Sequence, residues 1–563
     1  MSVELILAPP AGGKTSECLR RVQMLRSRAP LAPVRVVVSN ALQATDWRHR
    51  LALSGGAIGT EIGLFDDLYR QILQHSPTPT PQLHRVGAAR MVRAAIRAQE
   101  EAGTLQHYGQ IAQLPGFVQV LGNAFAELKR SMVDPQYMLE VTRSRSRAEY
   151  ELALFYDAYQ TRLQALGWAD QEGLSWLAVE ALERTGGSQL WRMLIIDGFD
   201  TFTGAQLAGM EALRNVEQVI ITLPVSGDEP PREVEQRMHT SLAALREKLT
   251  PRETRLKPAP AQRTPLSALL ERLYVSSAAR LEALPAVELV EARSAAEEAR
   301  EALRWIKARF VRDSIPLGSC AVFMPSPGYR PYLQAAAREF GIPLRFAQRE
   351  PLSRSMALYA LLGYLNLSID NTPHSLLACL TSPYLQLGFT RNDADALARV
   401  AEHARITGGI EQWEAALHSL ALRRPPERFE DEPNEGGAVA PLLRGEEAER
   451  LLENLRGLYA HLPAPTDVAS TARWIQTTEA LTDWCRFSTT LSSQEEVAAY
   501  HELVEIWRAM FSADQLAGER QLTWSEFCAE LRVLVVTSPN VDDPSVGRDE
   551  AVVVSNVASA RGV

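Results

Sequence analysis

At 563 residues the chain is too long for one ordinary domain and divides into about three or four packed units. Apolar residues make up 46% and charged residues 23%, a globular composition, and 59 Lys+Arg against 68 Asp+Glu leave a net charge of −9. That balance argues against a surface coated in cations for nucleic acid, while a local basic channel stays allowed. No apolar run reaches the roughly 18 residues a bilayer span needs, and no basic leader region precedes the first apolar strand, so the expected location is cytoplasmic with no membrane partner. Cys18, Cys320, Cys379, Cys485 and Cys528 are scattered without a C-x-x-C pair, which reads as reduced thiols with neither a metal site nor a disulfide framework.

In chain order, Leu5-Ile6-Leu7 predicts a strand that runs into Ala8-Pro9-Pro10-Ala11-Gly12-Gly13-Lys14-Thr15. Small residues there let backbone N–H groups close around phosphate oxygens, a lysine meets the β- and γ-phosphates and a threonine hydroxyl holds Mg²⁺. Ala11, Gly12, Gly13, Lys14 and Thr15 are therefore the candidate ATP-binding residues. Ala8 stands where the strict pattern has glycine, and the competing reading is a chance Gly-Lys-Thr in a turn. Val34–Val38 is a second strand and residues 41–53 a helix, which makes a β-α-β unit. A short strand near residues 58–63 and a helix over 64–73 follow, then the proline-broken stretch 76–81 as a linker. Residues 86–185 carry apolar positions at three- and four-residue intervals and predict a helical insertion.

Strands resume at 193–197 and 218–223, and residues 224 to about 265 read as a partly helical connection. A second α/β segment is expected from a strand at Val287-Glu288-Leu289-Val290-Glu291, a helix opened by a capping box at Ser294 and Glu297, and a strand at 321–324. Helices dominate beyond Ile342, broken by an acidic Pro- and Gly-rich loop at 424–437, and Val552-Val553-Val554 is a late strand. The expected boundaries are 1–84 and 186–230 for the first nucleotide-binding domain, 85–185 for its helical insertion and 231–284 for the connection. Residues 285–345 start the second domain, 346–545 form a second helical insertion, and 546–563 bring back a strand of the second domain.

Asp197, at the end of the apolar run Leu194-Ile195-Ile196, is the candidate second Mg²⁺ residue beside Thr15. Taken alone, an aspartate there could equally cap the next helix. A hydrolysing helicase of the UvrD class carries glutamate next, as base for the attacking water, whereas this chain reads Gly198-Phe199-Asp200. Pro224-Val225-Ser226-Gly227-Asp228 replaces a Gly-Asp-x-x-Gln sensor, and too few residues precede Leu5 for an adenine-holding glutamine segment. The expectation is a site that binds ATP and turns it over poorly, with no catalytic residue assigned. Trp47, Arg48 and Arg50 are the candidate DNA-contact residues, a stacking ring beside phosphate-binding cations. An amphipathic helix with a buried tryptophan explains the same residues. Arg143, Arg145 and Arg147 read as a phosphate-attracting stretch or an ordinary exposed loop.

The phosphate loop, Pro115-Gly116-Phe117 with Glu127-Leu128-Lys129-Arg130, the block Ile196-Asp197-Gly198-Phe199-Asp200-Thr201-Phe202-Thr203, Gly341-Ile342-Pro343-Leu344 and Thr381-Ser382-Pro383-Tyr384-Leu385 resemble, in this order, the AddB family. These are second subunits of bacterial AddAB helicase–nucleases, related to UvrD-like helicases. The resemblance implies an α/β fold: a P-loop RecA-like helicase core with large helical insertions and an incomplete second RecA-like domain. It implies an inactivated helicase core that binds ATP, Mg²⁺ and single-stranded DNA, acts on double-stranded DNA ends with an AddA-type subunit, and serves double-strand break repair and recombination. Family members continue to a C-terminal nuclease with an iron–sulfur cluster. The ending Ser559-Ala560-Arg561-Gly562-Val563 resembles a mid-domain segment of the family, so the chain is expected to be an N-terminal fragment without nuclease or cluster. The competing readings are an independent P-loop ATPase or nucleotide kinase, or a structural adaptor with a vestigial nucleotide site.

Overall fold

The computed structural model describes residues 2–56, 58–75, 80–112, 114–185, 190–225, 235–256, 266, 269, 272–273, 287–347, 351–422, 443–518, 520–538 and 551–557. Two compact units emerge: Met1–Leu83, Met91–Gln348 and Pro544–Val563 in one, His84–Arg90 and Arg349–Asp543 in the other.

The first unit holds a six-stranded parallel sheet made of β1 (Ser2–Leu7), β2 (Val34–Val38), β3 (Thr60–Gly63), β4 (Met193–Asp197), β5 (Gln218–Leu223) and β6 (Arg252–Arg255), in the order β3-β2-β4-β5-β1-β6. Every residue of β2 and β4 is buried, as β-branched and aliphatic runs in a sheet covered on both faces should be. One face packs on α1 (Lys14–Arg28) and α2 (Ala41–Leu53) through Cys18, Val22, Ala44 and Trp47. The other face buries Leu5, Leu194 and Ile221 with Phe65, Leu68 and Ile72 of α3 (Phe65–Gln74). The helical stretch follows as α4 (Arg85–Glu101), α5 (Pro115–Arg130), α6 (Pro135–Thr142), α7 (Arg147–Leu166) and α8 (Gln171–Thr185), then α9 (Gly204–Ala212) and α10 (Gln236–Leu249) between later strands. Helix α7 shows how local chemistry sets these bounds: Ser146 and Glu149 form a capping box at its start, and Gly167, at φ 68°, ends it in the left-handed conformation.

Two expectations fail here. Residues 236–255, read as part of a connection, form α10 and β6, and β6 pairs in parallel with β1 from Glu4–Arg252 to Leu7–Arg255. The strand Arg-Glu-Thr-Arg has no apolar signature because it sits at the sheet edge, held by its ladder and by polar contacts such as Thr254 Oγ1 donating to Glu4 at 2.7 Å. Val287–Glu291, read as a strand, is outside every described ladder, with Leu289 97% exposed. The third strand of that smaller sheet is instead β8 (Leu344–Phe346), and the order is β7 (Ala321–Met324), then the late strand, then β8.

The second unit is helical apart from a short antiparallel ribbon, β9 (Val468–Ser470) with β10 (Gln521–Thr523). Its core gathers Leu358, Leu361, Trp413, Leu451, Trp507, Trp524 and Phe527. The expected acidic loop at 424–437, most of the proline linker and residues 559–563 lie outside the described residues. The late strand, β11 (Val552–Asn556), is the middle strand of the three-stranded parallel sheet. Beneath it α11 (Ala295–Asp313) and α12 (Arg330–Phe340) supply Leu303, Ile306 and Leu333 to a small core with Val552 and Val554.

Candidate nucleotide site

Strands β1, β5 and β4 lie side by side and parallel, so the loop after β1 and the acid at the end of β4 open on the same edge of the sheet. The chain places β2 to one side of β1 and later β6 to the other, and such a reversal of strand order leaves a crevice at the carboxyl ends of the strands. The loop is tightly folded. Ala11 (φ 57°) and Gly13 (φ 84°) take left-handed backbone, and Gly12 N donates to Pro9 O at 3.0 Å. A Cβ on Gly12 would fall 2.8 Å from both Ala8 Cβ and Pro9 O, so glycine is required there by close approach. Ala8 itself is absent from the left-handed region, so its replacement of glycine costs no backbone strain.

Helix α1 starts at Lys14 with no side-chain cap, which leaves its first-turn N–H groups free of intramolecular capping and its positive dipole end facing the loop. Lys14 Nζ donates to Ala8 O at 3.0 Å and Pro9 O at 2.8 Å, closing across the loop. Burial pushes its pKa down to about 8 against the opposing pull of Asp197.

Asp197 is 1% exposed and fully engaged. Its Oδ2 accepts from Thr15 Oγ1 at 2.8 Å and from Trp47 Nε1 at 2.8 Å, and Thr222 Oγ1 donates to Oδ1. The hydroxyl and carboxylate expected to hold Mg²⁺ are thus in contact although 182 residues apart in sequence. Thr15 offers a hydroxyl ligand and Asp197 a carboxylate for the metal's waters, so the pair fits a magnesium ion that keeps most of its hydration. Among the described residues no group of three or more His, Cys, Asp or Glu side chains forms another metal site.

Trp47 stands differently from expectation. It is 0% exposed, so no ring face is open to a base, and its indole N–H orients Asp197 instead. Arg48 donates to Ile62 O at 2.6 Å and Arg50 pairs with Asp46 at 2.8 Å, both on the exposed side of α2. In the Arg143–Arg147 stretch, Arg147 binds Glu151, itself fully buried beneath the amides of residues 106–108. Asp200, a substitute base by its place in the sequence, is paired with Arg237 at 2.8 Å. Two residues join the site without a sequence expectation. Thr222 is the lone hydroxyl near the end of a buried strand, a signal open to inspection. Gln43 is 1% exposed and belongs to an inward stripe with Trp47 and Leu51 at four-residue spacing.

Residues 6–253, the sheet from within β1 to within β6, match the family described as ADDB, N-terminal. This stretch is an AddB N-terminal domain. Curated proteins named as the B-type component of an ATP-dependent helicase/deoxyribonuclease are similar to the chain. That of Moorella thermoacetica is 28% identical over 240 residues, 40% of this chain and 20% of the relative. That of Bacillus mycoides is 25% identical over 283 residues, 46% and 23% respectively, and that of Acetivibrio thermocellus 22% over 501 residues, 83% and 41%. The chain therefore spans less than half the length of these AddB-type relatives. No described helix is long and apolar enough to cross a membrane.

Proposed function

We propose that the chain is the AddB-type part of a two-subunit ATP-dependent helicase–nuclease acting in double-strand break repair and recombination, with an AddA-type partner and DNA as its other contacts. In this reading the six-stranded sheet is a RecA-like core that binds ATP with Mg²⁺ and hydrolyses it poorly. The observation that carries it is the Thr15–Asp197 contact at 2.8 Å beside the Lys14 loop. The family's iron–sulfur cluster and nuclease belong to a C-terminal region, and this chain's dispersed cysteines, four of them buried, offer no ligand set for a cluster.

Within the site, Lys14 meets the phosphates, Thr15 and Asp197 hold the metal, and Trp47 and Thr222 fix the carboxylate. Magnesium supplies charge neutralisation of the phosphates. A general base is what the site lacks: Gly198 has no side chain and Asp200 is held by Arg237. Turnover should fall short of a working helicase by roughly 10²–10⁴, the usual contribution of such a base. Calorimetric titration of the protein with Mg-ATP, paired with a phosphate-release assay, tests this. Binding that Lys14→Ala abolishes, with negligible turnover, is the expected result; brisk DNA-stimulated hydrolysis by the purified chain overturns the hydrolysis-poor reading, and equal behaviour of wild type and Lys14→Ala overturns nucleotide binding.

A further inference from the structure

The Gln43 side chain is anchored at one end only. Its Oε1 accepts from Ser39 N at 3.0 Å and Ser39 Oγ at 3.0 Å. A backbone N–H can only donate, so the carboxamide orientation is fixed and Nε2 must face the other way. Nε2 is buried and has no hydrogen-bond partner among the described residues. Buried donors are ordinarily satisfied, because an unmade bond forfeits hydration with nothing in return.

Its position gives the unused donor a direction. An ideal Cβ on Gly198 would lie 1.7 Å from Gln43 Nε2 and 2.3 Å from Cδ. The amide nitrogen therefore stands where a side chain following the metal-holding Asp197 would begin, at the end of the site where a triphosphate's last phosphate and its metal's waters come to rest. Resting on the reading of this crevice as a nucleotide site, we infer that Gln43 is a binding residue for the terminal phosphate, its Nε2 donating to a phosphate oxygen that a diphosphate does not supply. Gly198 makes room for it, since any larger residue would displace the carboxamide. The chain thereby replaces a base that breaks the terminal phosphate with a donor that recognises it, and the site discriminates nucleoside triphosphate from diphosphate without consuming the former.

The test is calorimetric titration of the full 563-residue chain with Mg²⁺ and either a non-hydrolysable β,γ-imido triphosphate or ADP. Gln43→Met keeps the side chain's length and removes the donor; Gln43→Glu keeps the acceptors that hold Ser39 and replaces the donor with a carboxylate oxygen. A donor to a charged oxygen should make Gln43→Met lose about tenfold in triphosphate affinity with ADP affinity unchanged. Gln43→Glu should lose more, from charge repulsion, while melting near the wild-type temperature. If both variants keep the wild-type ratio of triphosphate to ADP affinity, and Lys14→Ala still abolishes binding, Gln43 is a strut for Ser39 only and the inference falls while the nucleotide site stands. If Lys14→Ala binds like wild type, the nucleotide reading falls and takes this inference with it.

Discussion

Gly198 has φ 81° and no space for a side chain, which decides what can be engineered there. Installing the helicase base as Gly198→Glu forces a side chain into the left-handed region and against Gln43, so the variant should lose at least about 2 kcal/mol of stability and gain no ATPase; equilibrium denaturation beside a phosphate-release assay checks both. Trp47→Phe keeps most of the ring and removes the N–H that holds Asp197, leaving a buried carboxylate oxygen one bond short. The expected cost is about 1–3 kcal/mol, with weaker Mg²⁺-dependent nucleotide binding. Lys14 adds a pH dependence. Its folded pKa, about 8, lies below the ordinary lysine value of 10.5, so the unfolded chain holds more protons between those values and this group's contribution to stability improves as pH rises through that window. Nucleotide binding runs the other way, since a phosphate needs the ammonium: affinity for Mg-ATP should be full below about pH 8 and decline above it, with proton uptake on binding near that pH. Titrations in buffers of different ionisation enthalpy on either side of that value read the uptake directly.

Among the elements, the α5–α8 region is pinned by Lys129, whose Nζ lies 2.8 Å from Asp170 Oδ2 and over the Tyr159 ring, while Tyr159 donates its hydroxyl to the same carboxylate at 2.6 Å. Both ions are nearly inaccessible, so Lys129→Met strands a buried carboxylate and should cost about 3–5 kcal/mol in chemical denaturation. Which elements the sequence betrays follows from how each is stabilised. Strands β1, β2, β4 and β5 are buried on both faces and spell it out in apolar runs, and the loop between β1 and α1 carries its chemistry in eight consecutive residues. Strand β6 is polar because its ladder and ion pairs hold it, β8 is three residues interrupted by Arg345, and Val287–Glu291 has strand composition with no neighbour to pair. At the site, Lys14, Thr15 and Asp197 are legible from local pattern. Trp47 is misread as a DNA contact because its partner lies 150 residues away, and Gln43 escapes because its meaning depends on a missing side chain at 198.

For the molecule as a whole, a charge of −9 makes any grip on DNA local. If the exposed side of α2 lies in the DNA path, single-stranded DNA binding should weaken steeply with salt, and Arg48→Ala with Arg50→Ala should lower affinity and flatten the logarithmic salt slope by about one. An affinity indifferent to salt would remove phosphate contacts from the account. Strand β11 carries a different consequence. It pairs with β7 and β8 on either side, yet the helical residues of the second unit intervene between β8 and β11 in sequence. A ribosome adding about 5–20 residues per second needs on the order of 10–40 s to bridge that interval. Throughout it α11 and α12 emerge with the seam between β7 and β8 open and Leu303, Ile306 and Leu333 uncovered, so the last-made strand sets the period during which the nascent chain depends on holdase chaperones.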